Sequence, residues 1–261
     1  MDTLERSAKK MHELQAPYRA LLEELCEADN TEILSRWLTE NSAEIAWLDC
    51  IKGTGSGSVP DLATEDNWRL YALSRVSDTL IHQTERTGNS GDLELFMLGL
   101  GLEPISSLAF HPFFHELFSV AEHPDKLADI ELTGEAWPGF LCGSLLIARA
   151  GVSVSAGASR LKKSVAESST LYWAYRRSNR PTEDLSMGWG SNSQWRTSFR
   201  RDYVFDDRFE YNVDARERLD DGALTPLQQL ELVRHRCFVH SEDPHDDLWP
   251  YDIRYNERRA E

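Results

Sequence analysis

Arg234-His235-Arg236-Cys237-Phe238-Val239-His240 packs two guanidinium groups and two imidazoles into seven residues near the end of the chain. A guanidinium is a planar, permanently charged fork that pairs bidentately with carboxylate or phosphate and stacks on rings. An imidazole, with an ordinary pKa of about 6.5, takes and returns protons near neutrality. The run lies in a wider region of the same character. After Lys163 there is no further lysine but there are fourteen arginines, interleaved with aromatics and acids, against 22 arginines and 6 lysines in the whole chain. Within it, Gly188-Trp189-Gly190-Ser191-Asn192-Ser193-Gln194-Trp195-Arg196 sets two tryptophans on either side of a tight polar turn. Trp189, Asn192, Trp195, Arg196, Arg200 and Arg201 form a candidate binding set, with rings to stack a base or a partner's side chain and guanidinium groups behind them. The competing expectation is structural: the rings close a small core while the arginines pair with Asp202, Asp206, Asp207 and Glu210.

The spacing of Arg234 and His240, with polar His235 directly after the arginine, resembles the R-x(4–6)-H signature of HEPN ribonucleases. The resemblance covers seven residues of 261. It implies a helical bundle in which paired motifs at a dimer interface cleave RNA without metal. Arg234 would then stabilise the scissile phosphate and His240 act as general acid or base, with the Trp189–Arg201 segment gripping single-stranded RNA. Arg6–His12 and Arg75–His82 share the spacing, but only Arg234–His240 stands at a predicted helix end with a polar residue following the arginine. The polar tail beyond His240 departs from that family, whose bundle continues with a further helix.

Other constellations are less specific. His240, Glu242, Asp243, His245, Asp246 and Asp247 combine imidazole and carboxylate without a fixed ligand spacing, and read as a solvated loop rather than a metal site. His111 and His115, at i and i+4, would share a helix face, but Pro112 lies between them and no catalytic glutamate accompanies them. No G-x-S-x-G, Walker lysine or G-x-G-x-x-G is present. Gly53-Thr54-Gly55-Ser56-Gly57-Ser58 lacks the G-K-[ST] of a phosphate loop and reads as a linker. Neither a metal nor a cofactor is expected.

The elements that must position these residues follow from periodicity. A helix is predicted over 3–27, interrupted or kinked at Pro17, and a second from a capping box at Asp29 and Glu32 through Ile51. A third spans 64–84, with Trp68, Leu70, Tyr71, Leu73, Val76, Leu80 and Ile81 as its buried stripe. Residues 93–122 read as two short helices split near Pro104. Ile130–Leu132 and Val152–Ser155 alternate as strands do, while Gly139–Ala150 admits a buried helix. A helix is predicted from Ser159 to about Tyr175, and a short strand over Phe209–Val213. Thr225-Pro226-Leu227-Gln228 is the clearest start signal: N-cap threonine, proline at N1 and glutamine at N3, opening a helix to about Phe238. The predicted fold class is mainly α, a helical domain with minor β content, with α+β as second choice. The expected organisation is an acidic helical part over 1–160 and an arginine- and aromatic-rich part over 161–261, packed on the first as one unit.

Net charge sets the function class. With 44 acids and 28 lysines and arginines the chain carries −16 and a pI near 4.9. Such a field repels nucleic acid and anionic membrane at long range and speeds encounter with cationic surfaces. Cys26, Cys50, Cys142 and Cys237 show no paired spacing, so buried reduced thiols in a cytoplasmic protein are expected. The most apolar stretch, Phe140–Ala148, ends at Arg149 and is too short to span a bilayer. The preferred reading is a soluble acidic interaction protein, a regulatory or accessory subunit of the kind found in bacterial toxin–immunity or antiviral defence systems, whose partner is a protein with a basic surface. The alternative is a metal-independent ribonuclease using Arg234 and His240.

Overall fold

The computed structural model describes residues 3–25, 29–53, 57–169, 199–215, 224–242 and 253–259. Among the described residues helix accounts for 45% and strand for 21%: a mainly helical molecule with two sheets. The N-terminal part is helical: α1 (Thr3–Glu24), α2 (Thr31–Glu40), α3 (Ser42–Gly53), α4 (Thr64–Thr87) and α5 (Gly91–Gly99). Pro17 lies inside α1, and its carbonyl accepts the Trp37 indole N–H at 3.0 Å. The predicted second helix is divided at Asn41, giving α2 and α3. α4 runs three residues past the predicted end at 84, closed by Gly88 in the left-handed region at φ 69 with its N–H returned to the Thr84 carbonyl.

These helices share buried aromatics and one buried ion pair. Tyr18, Trp37 and Phe96 pack in series with their rings tilted, centroids 5.2 and 5.5 Å apart. Glu44 accepts hydrogen bonds from Arg69 Nε and Nη2 and from the Tyr18 hydroxyl. Burial, then the Glu44 charge, pushes the Tyr18 pKa well above its ordinary value.

Strands follow: β1 (Glu103–Pro104), β2 (His115–Glu122), β3 (Glu131–Trp137), β4 (Phe140–Cys142), β5 (Leu145–Ala148) and β6 (Ala150–Ala156). After the short α6 (Lys163–Ser168) come β7 (Tyr203–Val204), β8 (Arg208–Tyr211), α7 (Pro226–His235) and β9 (Tyr255–Arg258). Six strands form an antiparallel sheet ordered β1-β4-β5-β7-β8-β9; three form a second, β2-β6-β3, with β2 parallel to β6.

The 93–122 region corrects the expectation of two helices. Only α5 is helical, and His115–Glu122 is a strand pairing with Ala150–Ala156. Both faces of β2 are covered over its first half, so its apolar residues do not alternate and mimic a helix. Gly139–Ala150 is likewise no helix but the β4–β5 hairpin and the switch into β6, with Cys142 opposite Leu145 and Gly143 at φ 58 in the two-residue turn. The helix predicted over 159–175 is described only as α6, which ends at Ser168, where Ser169 becomes extended. Val213 lies beyond β8, and α7 stops at His235.

One core cluster runs from Tyr18, Leu34 and Leu73 in the helices to Phe140 and Leu145 in the sheet and on to Phe199, Tyr203 and Val213. Residues on both sides of position 160 therefore share it. No helix among the described residues is long and apolar enough to cross a membrane.

Candidate functional site

Chain direction creates the site. β5 belongs to the six-stranded sheet and β6 to the three-stranded one, and Arg149 is the single residue between them. Its carbonyl is fixed by the Trp137 indole N–H at 3.0 Å, and its side chain is only 1% exposed. An arginine at this crossing is driven into the space between the sheets and α4.

Asp202 meets it there, fully buried. Asp202 Oδ1 accepts Arg200 Nε at 2.9 Å and the Asn212 N–H at 2.7 Å; Oδ2 accepts Arg236 Nη2 at 3.2 Å. Arg149 Nη2 stands 3.7 Å from the same Oδ2, near enough for attraction but too far to hydrogen-bond. Arg200 also donates to the Val233 carbonyl. Burial alone would raise the Asp202 pKa, but Arg200, Arg236 and Arg149 outweigh it and hold the carboxyl below its ordinary range. Burial, reinforced by Arg236 and Arg200, pulls Arg149 down from the ordinary arginine range to about 9, which leaves it cationic at neutral pH.

The backbone is bent to make this cluster. Among the described residues, Asn212 (φ 52) and Arg236 (φ 61) are the non-glycine positions in the left-handed region, and both donate to Asp202. An arginine there costs about 1–2 kcal/mol that surrounding contacts must offset. Arg236 accomplishes it as the residue closing α7, its N–H returned to the Leu232 carbonyl. A cavity of about 50 Å3 opens beside the cluster, lined by Arg149, Arg200 and Arg236 together with Ser77 and Asp78 of α4 and Glu116 of β2.

Arg234 and His240 line a separate cleft of about 340 Å3 along α7, together with Arg160, Glu231 and His235. α7 carries the capping box read from the sequence: Thr225 Oγ1 accepts the Gln228 N–H, and Gln228 Oε1 accepts the Thr225 N–H at 2.8 Å. Beyond its end, Glu231 Oε2 accepts the N–H groups of Val239, His240 and Ser241, each at 3.1 Å, which fixes the backbone that presents His240. Arg234 is already engaged, donating bidentately to Glu257 of β9 at 2.9 and 2.6 Å. The Tyr211 hydroxyl donates to the same carboxylate at 2.9 Å. A phosphate could occupy the Arg234 fork only by displacing Glu257.

His111 and His115 lie on a turn and at the start of β2, not on a helix face. His111 Nδ1 accepts the Phe113 N–H and His115 Nδ1 accepts the His111 N–H. His111 stacks on Phe209 at 4.2 Å, while His115 stacks on Phe110, which also faces His235. With Nδ1 committed and the rings packed, burial is the first cause lowering both from 6.5 to about 4, and Arg149 adds to it in both. No group of three or more metal-ligating side chains occurs among the described residues.

The candidate binding set divides. Trp189, Asn192, Trp195 and Arg196 lie outside the described residues. Arg200 and Arg201 are buried, and each has a carboxylate partner: Asp202 for Arg200, and Asp214, gripped bidentately, for Arg201. Arg201 also donates to the Pro60 carbonyl at 3.0 Å, so it ties the C-terminal part to the loop before α4 instead of backing an exposed surface. The pairing expected of Asp202, Asp207 and Glu210 is present, with Arg200, Arg208 and Arg254 as partners. Sequence reasoning named Arg236 only as part of the run from Arg234 to His240 and Arg149 only as the end of an apolar stretch, and it gave Glu257 no role. The available signal was Arg149 itself, a lone charge between two apolar strand-like runs. Comparison with protein-family models, curated proteins and solved structures gave no match.

Proposed function

We propose that the chain is a non-catalytic accessory or regulatory protein of the cytoplasm that binds a protein with a basic surface, in the manner of toxin–immunity or antiviral-defence subunits. The observation that supports this reading is the segregation of charge. Arg149, Arg200 and Arg201 are buried, and Arg208, Arg234 and Arg236 are partly buried against carboxylates. Among the described residues, twenty exposed acids face eleven exposed lysines and arginines. Drawing the cations inward leaves an outer shell that attracts cationic surfaces and steers their approach. Glu122, Asp125, Asp129, Glu131 and Glu135 crowd one such stretch, ending on β3, an edge strand of its sheet.

Affinity capture of the full chain from its host, with both protein and nucleic acid identified, tests the reading. A basic protein should be recovered, and Glu131→Lys with Glu135→Lys should slow its association. Recovery of RNA without a basic protein would overturn it. The second reading, a ribonuclease, draws on one observation: Arg234, His235 and His240 line the same cleft. It requires Arg234→Ala and His240→Ala each to abolish RNA cleavage by a folded chain, and full cleavage by either variant ends it.

A further inference from the structure

Three guanidinium groups share one carboxylate in the interior, which is an incomplete arrangement. Asp202 Oδ1 is filled by Arg200 and Asn212, and Oδ2 by Arg236. Arg149 gains no hydrogen bond: Nε, Nη1 and Nη2 are all buried without a partner, and Arg236 Nε is in the same state. A buried cation stripped of water is tolerated only when acceptors replace its hydration. The unsatisfied fork lines the 50 Å3 cavity, with Arg200 and Arg236 beside it. That space is several times the roughly 10–15 Å3 that one water requires, and suits a group of a few heavy atoms.

The geometry points to a binding site for a small oxyanion, a phosphate or carboxylate group held by Arg149, Arg200 and Arg236. Such a group supplies what the cluster lacks, acceptor oxygens for the buried Arg149 fork. The other lining residues shape the rest of the ligand. Ser77 offers a hydroxyl, while Asp78 and Glu116 place carboxylates on the same cavity, so the part beyond the oxyanion carries no further negative charge. Inorganic phosphate and a small zwitterion such as glycine both meet this description. The two strained residues, Asn212 and Arg236, then acquire a purpose, since the left-handed turn at 236 brings its guanidinium to Asp202 and the cavity.

The test is titration of the full-length chain with inorganic phosphate, with glycine and with acetate, each against chloride at matched ionic strength, followed by calorimetry and by the thermal midpoint. Phosphate, or the two carboxylates, should raise the midpoint saturably, and the difference between the arms separates a phosphate site from a carboxylate site. Arg149→Met should bind roughly tenfold more weakly or worse, the loss of a charged hydrogen-bonded pair. If Arg149→Met does not fold, Arg236→Gln serves, because it removes one wall of the cavity while Arg200 still neutralises Asp202. A wild-type chain that no oxyanion stabilises beyond chloride overturns the proposal. So does a saturable response that survives unchanged in the folded variant.

Discussion

Asp202 and the two packed histidines show how single side chains carry the balance of the interior. Removing the charge of Asp202 while keeping its shape takes from Arg149, Arg200 and Arg236 the carboxylate they share. Asp202→Asn is therefore expected to cost about 3–5 kcal/mol, read as a lower urea midpoint, because breaking a buried pair strands the remaining charge. A midpoint equal to wild type would mean that another acid neutralises the cluster. His111 and His115 make the same point through pH. Folding holds both at about 4 against an ordinary 6.5, mainly by burial, so the unfolded chain binds more protons between those values. Stability is then complete above about 6.5, falls as pH drops through that window, and levels off near 4 as far as these two groups are concerned. Replacing both by asparagine, which preserves an acceptor for the two backbone N–H groups, should flatten the urea midpoint between pH 6.5 and pH 4. An unchanged slope would place the acid sensitivity elsewhere.

At the scale of elements, the crossing from β5 to β6 is the feature on which the site depends, and two glycines permit it. A Cβ on Gly151 would lie 2.3 Å from the Trp137 ring, and one on Gly139 would lie 2.4 Å from the Ala150 nitrogen. Gly151→Ala is expected to destabilise by about 1–3 kcal/mol and to shift Trp137, whose fluorescence reports the change. Thr225→Ala, which removes the cap of α7, should cost about 1 kcal/mol with no such shift. The contrast explains what was legible beforehand. α4 and α7 were readable because a one-sided stripe and local caps fix them within their own residues. β2, β4 and β5 were not, because strands covered on both faces lose their period of two, and only Gly143-Ser144 marked the hairpin. The site was less legible still: Arg149 was visible as a charge between apolar runs, but Asp202 and Arg236 reach it only through sheet pairing and the end of a distant helix.

For the whole molecule, inward arginines and outward acids predict two salt responses of opposite sign. The pairs of Arg200 and Asp202, Arg201 and Asp214, and Arg69 and Glu44 have at least one largely buried member, so bulk ions screen them little. The exposed carboxylates repel across the surface, and that repulsion is long-ranged only while the Debye length is long, about 30 Å at 0.01 M against about 8 Å at 0.15 M. Raising sodium chloride across this range should therefore raise the thermal midpoint of the isolated chain. The same change should slow association with a basic partner, because the steering field is what is being screened. A fold held by surface ion pairs would instead lose stability with salt. An acidic shell that served solubility alone would leave the association rate indifferent to ionic strength while the midpoint still rose. Measured together, the two slopes separate a surface arranged for encounter from one that merely keeps the chain apart from its own copies.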